Sequence, residues 1–338
     1  KSAFVYEKVR QEVIDLLGYE AVAGGGFQIH TTIDGDIQQL AEKELTERLS
    51  MIEEHPDFNH QTLAQYKAAK KTFKETSNQD ATFEDPEYLQ GALLMIDNKT
   101  GSVLAQIGSR DFSDSMFDRT TQGRRPPGTA FTPFVYAAAF QKGLFPGTLV
   151  DDAPMDTRQV MIGGTTGILG EWGTEDFQNV YEGRITSRRS LAKSKNAASV
   201  YLGQKTGLTN VVELAEKAGL TFEGDLKNFN ATLLGRNPVS MDAFCLAYTV
   251  FPNNGRKPER THIISDIRDR EGAVIYSPSV AMASGQVIDQ YTAYQVTSSL
   301  ADSFKYGTAK AAKEKYGLEN FAVPALSVRT PCSPSGRK

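Results

Sequence analysis

Hydrophobic periodicity divides the N-terminal part of the chain into helices and a strand. Residues 1–20 carry an apolar side chain every three or four positions, which predicts an amphipathic helix. Its apolar face carries Phe4, Val5, Val9, Val13 and Leu16. Residues 27–33 alternate apolar and polar side chains, as a strand with one buried face does, and residues 36–49 predict a second helix.

A polar stretch separates these elements from an apolar hairpin. Residues 50–87 are rich in Lys, Glu, Gln, Asn and Asp, which predicts a solvated insertion with a helix over 61–75. Residues 91–97 are continuously apolar, so we expect a strand in the middle of a sheet. After a turn at 98–101, residues 102–107 are expected to pair back as the second strand of a hairpin.

A strongly apolar helix begins after a group of helix-breaking residues. Residues 126–128 interrupt any preceding element, Thr129 is a suitable N-cap, and Pro133 falls in the first turn, where its missing N–H costs little. Residues 134–140 carry no charge, which predicts a helix buried on all sides that ends at Gly143. A buried helix with a polar first turn often presents that turn to a cleft, so we expect a site here.

The second half of the chain adds further helices and two strands. Helices are predicted over 197–202, 212–218, 239–251 and 291–304, and strands over 262–267 and 273–276. A chain of 338 residues with mixed elements is expected to form two domains, or one large domain with an appendage.

Composition excludes several classes of function. The hydrophobic content of 40% and the charged content of 23% are ordinary for a soluble globular chain. A net charge of −4 without a basic block argues against nucleic-acid binding. No run of 18 apolar residues is present. Because the chain starts inside a predicted helix, we expect it to be a fragment of a longer protein, with any membrane anchor in a segment upstream.

The cysteines and histidines predict neither a disulfide framework nor a metal site. Cys245 and Cys332 are too few for such a framework, and Cys245 lies in an apolar helical run, where a core position is expected. His55 and His60 have no cysteine or third histidine nearby. The sequence therefore predicts no metal and no cofactor.

The start of the apolar helix resembles the first active-site motif of the penicillin-binding proteins, Gly-Ser-x-x-Lys-Pro-Phe. Thr129 stands at the serine position and Thr132 at the lysine position. In that family the serine is the acyl nucleophile and the lysine helps to activate it. The resemblance therefore implies catalytic positions at Thr129 and Thr132, with both family side chains replaced.

The two remaining family motifs are also found, one of them degenerate. The Ser-x-Asn motif is intact as Ser194 and Asn196, and the resemblance implies that they line the cleft and take part in catalysis. Residues 205–207 spell the third motif, Lys-Thr-Gly, but they end a predicted helix and are a decoy. The family order places the third motif near Arg329-Thr330-Pro331, so Arg329 and Thr330 are the implied substrate-binding residues.

The resemblance covers about 1–48 and 88–325 and implies a fold. Residues 1–87, which contain the insertion at about 50–87, resemble the linker domain of class A (bifunctional) penicillin-binding proteins. Residues 88–338 resemble the transpeptidase domain, truncated at the third motif. The implied fold class is α/β (α+β), the transpeptidase or beta-lactamase-like fold. It comprises an antiparallel sheet flanked by helices and a helical lobe that carries the first two motifs.

The implied function is stem-peptide cross-linking by a peptidoglycan synthase, a D,D-transpeptidase reaction. We expect it to be impaired, because Thr129 is hindered by its methyl group and Thr132 cannot act as a base. Loss of a general base costs about 10²–10⁴ in rate. A substitute base, Lys193 or Lys195, stays open. Two alternative functions also stay open. One is a non-catalytic stem-peptide-binding or scaffold protein, and the other is an active enzyme that uses Thr129. A beta-lactamase is disfavoured, because it would need the same base.

The same resemblance implies the partners and the location. The expected partners are peptidoglycan stem peptides, beta-lactams and proteins of cell-wall synthesis, and no nucleic acid. The expected location is extracytoplasmic, in the periplasm or on the outer face of the bacterial cytoplasmic membrane, with an anchor in an N-terminal segment outside this chain.

Overall fold

The computed structural model describes residues 3–76, 83–154, 181–222, 226, 230–279, 281–282 and 285–317. The helices are α1 (Ala3–Leu17), α2 (Tyr19–Gly24), α3 (Gly35–Glu53), α4 (Leu63–Thr76), α5 (Thr132–Gln141), α6 (Ser187–Ala192), α7 (Asn196–Thr206), α8 (Leu208–Lys217), α9 (Met241–Tyr248), α10 (Gln290–Ala301), α11 (Ser303–Tyr306) and α12 (Lys310–Tyr316). The strands are β1 (Gln28–Thr31), β2 (Leu93–Ile96), β3 (Val103–Ile107), β4 (Arg124–Arg125), β5 (Leu149–Asp152), β6 (Gly183–Thr186), β7 (Val239–Ser240), β8 (Ile264–Arg268) and β9 (Val274–Tyr276).

The chain divides into two compact units, each built from several segments. The first unit comprises Lys1–Arg124, Ser240–Cys245 and Glu259–Ala281, and the second comprises Arg125–Val239, Leu246–Pro258 and Met282–Lys338. These units are defined by compactness, whereas the predicted division at residue 88 follows the family resemblance, and that division stays a prediction. Among the described residues, no helix combines the length and the apolar character that crossing a membrane requires.

The first unit contains a three-stranded antiparallel sheet in the order β1-β8-β9. Ile29 of β1 pairs with Ile267 of β8, so the strand predicted at 27–33 does not pair with β2. It joins strands from the later part of the chain instead. Helix α1 contributes Val13 to the core around Ile267, which confirms its predicted apolar face.

Strands β2 and β3 form the predicted antiparallel hairpin. Asp97 stabilises its turn, because its Oδ1 atom accepts hydrogen bonds from the backbone N–H groups of Lys99 and Thr100. Helix α3 covers β3, where Ala41 packs with Ala105 and Ile107. Strand β2 is more exposed than β3. Among the described strands it pairs with β3 alone, so the predicted position in the middle of a sheet is not found.

The polar stretch at 50–87 is docked where the structure describes it. Helix α4 lies close to its predicted bounds, and Lys70 forms an ion pair with Asp114 at 2.6 Å. The Tyr88 hydroxyl, on a side chain that is buried, donates to Oδ2 of Asp114 at 3.1 Å. Arg110 and Glu53 form a buried ion pair at 2.6 Å. Most described positions between 51 and 76 are exposed, as predicted, and the ion pairs of Lys70 and Glu53 attach the segment to the rest of the first unit.

The second unit is organised around α5. All residues from Thr132 to Phe140 are buried, which confirms the predicted burial of this helix. It packs against α7, α8 and α10. Phe134 contacts the rings of Tyr248 and Phe251, and such aromatic contacts add to the apolar area that the helix buries.

Candidate functional site

The turn that precedes α5 differs from the predicted helix cap. Residues Gly128–Phe131 form a short 3-10 helix, and α5 begins at Thr132 with Pro133 in its first turn. Thr129 lies inside the 3-10 turn, and the cap position of α5 belongs to Phe131. The N-cap prediction for Thr129 is therefore wrong. Because the 3-10 turn precedes α5, the N-cap position of α5 lies at Phe131, further along the chain than Thr129.

A hydrogen bond joins the two threonines of the first motif. The Thr132 hydroxyl donates to the backbone carbonyl of Thr129 at 2.9 Å, which places the two residues one turn apart. Thr132 is only 1% exposed, whereas Thr129 is half-buried. The buried Thr132 hydroxyl is neutral and donates its hydrogen bond to the backbone. It therefore cannot act as a base for Thr129.

Two residues that the sequence did not point to fix the backbone of this turn. The Gly128 N–H donates to the Gly235 carbonyl at 3.1 Å, and a Cβ at Gly235 would lie 2.1 Å from the Gly128 oxygen. Gly235 also has a φ of +67°, which favours glycine. The Tyr248 hydroxyl donates to the carbonyl of Ala130. No local pattern around either residue indicates these contacts, because both come from tertiary packing.

The second motif forms a tight turn between two helices. Helix α6 ends at Ala192 and α7 begins at Asn196, so Ser194 lies in the connection. Its φ is +53°, a left-handed conformation that costs a residue other than glycine about 1–3 kcal/mol. The Ser194 N–H donates to the Leu191 carbonyl at 3.1 Å, and the Lys195 N–H donates to the Ser190 carbonyl at 3.0 Å. Surrounding contacts must therefore stabilise this backbone.

The amide of the second motif has an unsatisfied oxygen. Oδ1 of Asn196 is buried and finds no hydrogen-bond partner in the part of the chain that the structure describes. A buried acceptor without a donor costs about 1–3 kcal/mol. The atom therefore suits a donor from a ligand or from a longer side chain nearby.

Tyr136 connects the helices that carry the two motifs. Its hydroxyl oxygen lies 2.6 Å from Oγ of Ser190 on α6 and 3.0 Å from Oγ of Ser199 on α7. Burial raises the pKa of Tyr136 to about 12, so the hydroxyl stays protonated. Helices α5, α6 and α7 pack on one another. The structure thus brings Thr132 and the Ser194 turn into one helix cluster, and convergence of Thr129, Thr132, Ser194 and Asn196 on a single cleft stays a prediction.

The two lysines beside Ser194 are engaged by carboxylates. Nζ of Lys193 lies 2.6 Å from Oε1 of Glu182. Nζ of Lys195 lies 3.2 Å from Oδ2 of Asp152 and 3.8 Å from Oε1 of Glu182. An ion-paired ammonium offers no lone pair to a hydroxyl, so these contacts disfavour either lysine as a substitute base.

The candidates for the third motif have different outcomes. Arg329 and Thr330 lie outside the described residues. Residues 205–207 end α7, and Gly207 at φ +91° follows its last residue as the C-cap. Thr206 donates its hydroxyl proton to the Leu202 carbonyl at 2.7 Å. The prediction that this Lys-Thr-Gly sequence is a helix end is confirmed.

Comparison with known proteins identifies relatives of this helix cluster and the strands around it. A model of the penicillin-binding-protein transpeptidase domain matches residues 91–322. Penicillin-binding protein 1A of Rickettsia conorii is 26% identical, over 91% of this chain and 49% of that protein. Penicillin-binding protein 1A of Neisseria meningitidis is 33% identical, over 69% of this chain and 28% of that protein. The chain thus spans about half or less of these relatives.

Solved structures share the fold. Penicillin-binding protein 1A from Haemophilus influenzae superposes with a TM-score of 0.72 at 18% identity, covering 93% of this chain and 60% of that one. PonA1 from Mycobacterium tuberculosis, in complex with penicillin V, gives a TM-score of 0.65 at 21% identity, covering 89% and 71%. These likenesses confirm the predicted transpeptidase fold.

Proposed function

We propose that this chain, which belongs to the penicillin-binding-protein transpeptidase-domain family, binds stem peptides and beta-lactams. We propose further that it carries out D,D-transpeptidation slowly or not at all. The family reaction needs a hydroxyl nucleophile and a base beside it, because a hydroxyl is a weak nucleophile at its own pKa. This chain keeps a hydroxyl at Thr129 and replaces the base with Thr132.

One observation carries the proposal. The Thr132 hydroxyl donates to the Thr129 carbonyl at 2.9 Å, and its side chain is buried. Thr132 therefore takes the place of the family lysine as a neutral group that is satisfied by the backbone. The general-base contribution that it cannot supply is about 10²–10⁴ in rate.

Thr129 is a poor nucleophile for a second reason. Its Cβ carries a methyl group, which restricts χ1 and crowds the approach of a carbonyl carbon. The backbone around it is held by Gly235 and Tyr248, so the turn has little freedom to relieve the crowding. The hindered hydroxyl and the missing base act on the same step, and their effects are not additive.

The retained second motif supports binding. Ser194 and Asn196 keep the family side chains, and the buried Oδ1 of Asn196 is an acceptor suited to a donor from a peptide or a beta-lactam amide. Arg329 and Thr330 are proposed to bind the substrate carboxylate. Residues 1–87 are proposed as a linker domain, and 88–338 as the transpeptidase-like domain.

The proposed setting follows from the chemistry of the substrate. Stem peptides are cross-linked outside the cytoplasm, so we place the chain in the periplasm or on the outer face of the membrane, attached through a segment outside this chain. Proteins of cell-wall synthesis are the proposed partners. The competing functions are a scaffold protein that binds no stem peptide in this cleft and an active enzyme that uses Thr129.

Intact-protein mass spectrometry with a fluorescent penicillin separates these functions. We expect no covalent adduct, or one that forms slowly, together with a higher melting temperature in the presence of a D-Ala–D-Ala peptide. Rapid formation of an adduct that maps to Thr129 and is lost in Thr129→Ala would support the active enzyme. If the experiment shows no adduct and no thermal shift, the binding proposal is overturned and the scaffold function is favoured.

A further inference from the structure

The Ser194 turn is flanked by two lysines that are both ion-paired to carboxylates at the ends of β5 and β6. Lys193 contacts Glu182 at 2.6 Å, and Lys195 contacts Asp152 at 3.2 Å. Neither carboxylate side chain is well exposed, at 17% for Glu182 and 3% for Asp152. Ion pairs with such partners are screened less by salt than pairs on the open surface.

The pairing of β5 with β6 holds the two carboxylates together. Strands β5 and β6 are antiparallel, and Asp152 pairs with Gly183, the residue after Glu182. The Glu182 N–H donates to Oδ2 of Asp152 at 2.9 Å. Arg189 on α6 adds a bond from its Nε atom to Oε2 of Glu182. Glu182 and Asp152 thus contact α6 and both sides of the turn that follows it.

The Ser194 backbone needs such support. Its left-handed φ is unfavourable for serine, and the hydrogen bonds to the Leu191 and Ser190 carbonyls only close the turn locally. Lysines on either side of one residue, each fixed at its ammonium end, restrain the backbone between them.

We propose that Glu182 and Asp152 are positioning residues for the second motif. Their ion pairs with Lys193 and Lys195 hold Ser194 in its left-handed conformation. The two lysines are restraints rather than reserve bases. The value of this restraint for a reaction rests on the proposed function, whereas the restraint itself is a property of the fold.

Hydrogen exchange tests the restraint directly. The amides of Ser194 and Lys195 report on the turn, because both donate within it. In Glu182→Gln we expect both amides to exchange about tenfold faster than in the wild type, since local opening sets their exchange rates. The control Glu216→Gln removes the same charge from an exposed position on α8 and should leave them unchanged. Unchanged exchange in Glu182→Gln would overturn the proposal.

A mutant cycle guards against a general loss of stability. Lys193→Met and the combination with Glu182→Gln complete the cycle, and coupling requires that the double variant lose less protection than the two single variants added together. Glu182→Asp keeps the charge and should restore part of the protection. Strictly additive effects, or loss of protection throughout α7 and α8, would contradict a local restraint.

Acylation separates this proposal from the proposed function. In a Thr129→Ser/Thr132→Lys background, adding Glu182→Gln should lower the acylation rate constant by about tenfold or more and change penicillin affinity little, because misplaced groups affect chemistry more than binding. If that background does not react at all, either the proposed active site is wrong or the third-motif strand around Thr330 is missing, and the exchange experiment still decides the restraint. An unchanged rate constant together with faster exchange would show that Ser194 needs no positioning.

Discussion

The hydroxyl oxygen of Tyr136 lies 2.6 Å from Oγ of Ser190, inside the core of the second unit. Tyr136 follows Thr132 by one turn of α5, and Ser190 precedes Ser194 by four residues. The bond therefore joins the helix that begins with the first motif to the helix that leads into the second. Buried hydroxyl groups are costly to leave unsatisfied, so this bond also fixes how these helices pack.

Tyr136→Phe tests this link. The substitution leaves the Ser190 hydroxyl without that partner, whereas Ser199 keeps its bond to the Lys195 carbonyl. We expect the free energy of unfolding to fall by about 1–3 kcal/mol, measured by urea denaturation. Tyr294→Phe removes the same hydroxyl from a side chain that is 71% exposed and should change stability by less than about 0.5 kcal/mol. Equal effects of the two variants would contradict a structural role for the Tyr136 hydroxyl.

Gly235→Ala tests how the Thr129 turn is held. The added Cβ would lie 2.1 Å from the Gly128 oxygen, and the positive φ of Gly235 disfavours any side chain. We expect a loss of about 2 kcal/mol or more, because strain of the backbone adds to the clash. Gly285→Ala meets nothing within 4 Å and should have little effect. If Gly235→Ala is as stable as Gly285→Ala, then the turn is free to move.

Sequence patterns predicted the main elements of this region and missed the contacts that fix them. The burial of α5 was predictable because residues 134–140 lack any charge, and the one-turn spacing of Thr129 and Thr132 follows from their separation. The bonds of Tyr136, Gly235 and Tyr248 join positions far apart in the chain, so no local pattern encodes them. The wrong cap at Thr129 arose because a 3-10 turn precedes α5.

In the polar insertion at 50–87, the sequence predicted exposure to solvent but not the contacts that attach the segment. Its charge content predicted solvation, yet several of those charges form ion pairs, as Lys70 does with Asp114. Composition alone does not distinguish a charge that faces water from one that faces a partner. Tyr66 was the usable signal within the insertion, because a buried aromatic side chain needs a surface to pack against.

The pH dependence of stability tests the Glu182 contacts. Burial pushes the pKa of this carboxyl up, but hydrogen bonds from Lys193 and Arg189 outweigh it and hold the pKa below its ordinary value. A carboxyl of this kind stabilises the fold above its unfolded pKa of about 4.3, and the contribution disappears as the pH falls through the lower folded value. The stability gap between wild type and Glu182→Gln should therefore be largest near neutral pH and close in acid. For Glu216→Gln, the gap should stay small throughout. A wild-type advantage that persists in acid would contradict this origin.

The central claim is that the exchange of the family lysine for Thr132 removes the chemistry from a retained binding site. The most direct measurement is the second-order rate constant for acylation by a fluorescent penicillin, in wild type, Thr129→Ser and Thr129→Ser/Thr132→Lys. We expect wild type and the single variant to react slowly or not at all, and the double variant to react about 10²–10⁴ times faster if the region around Thr330 supplies a third-motif strand. Wild-type acylation as fast as that of the double variant would show that Thr132 is irrelevant to the reaction and contradict the account.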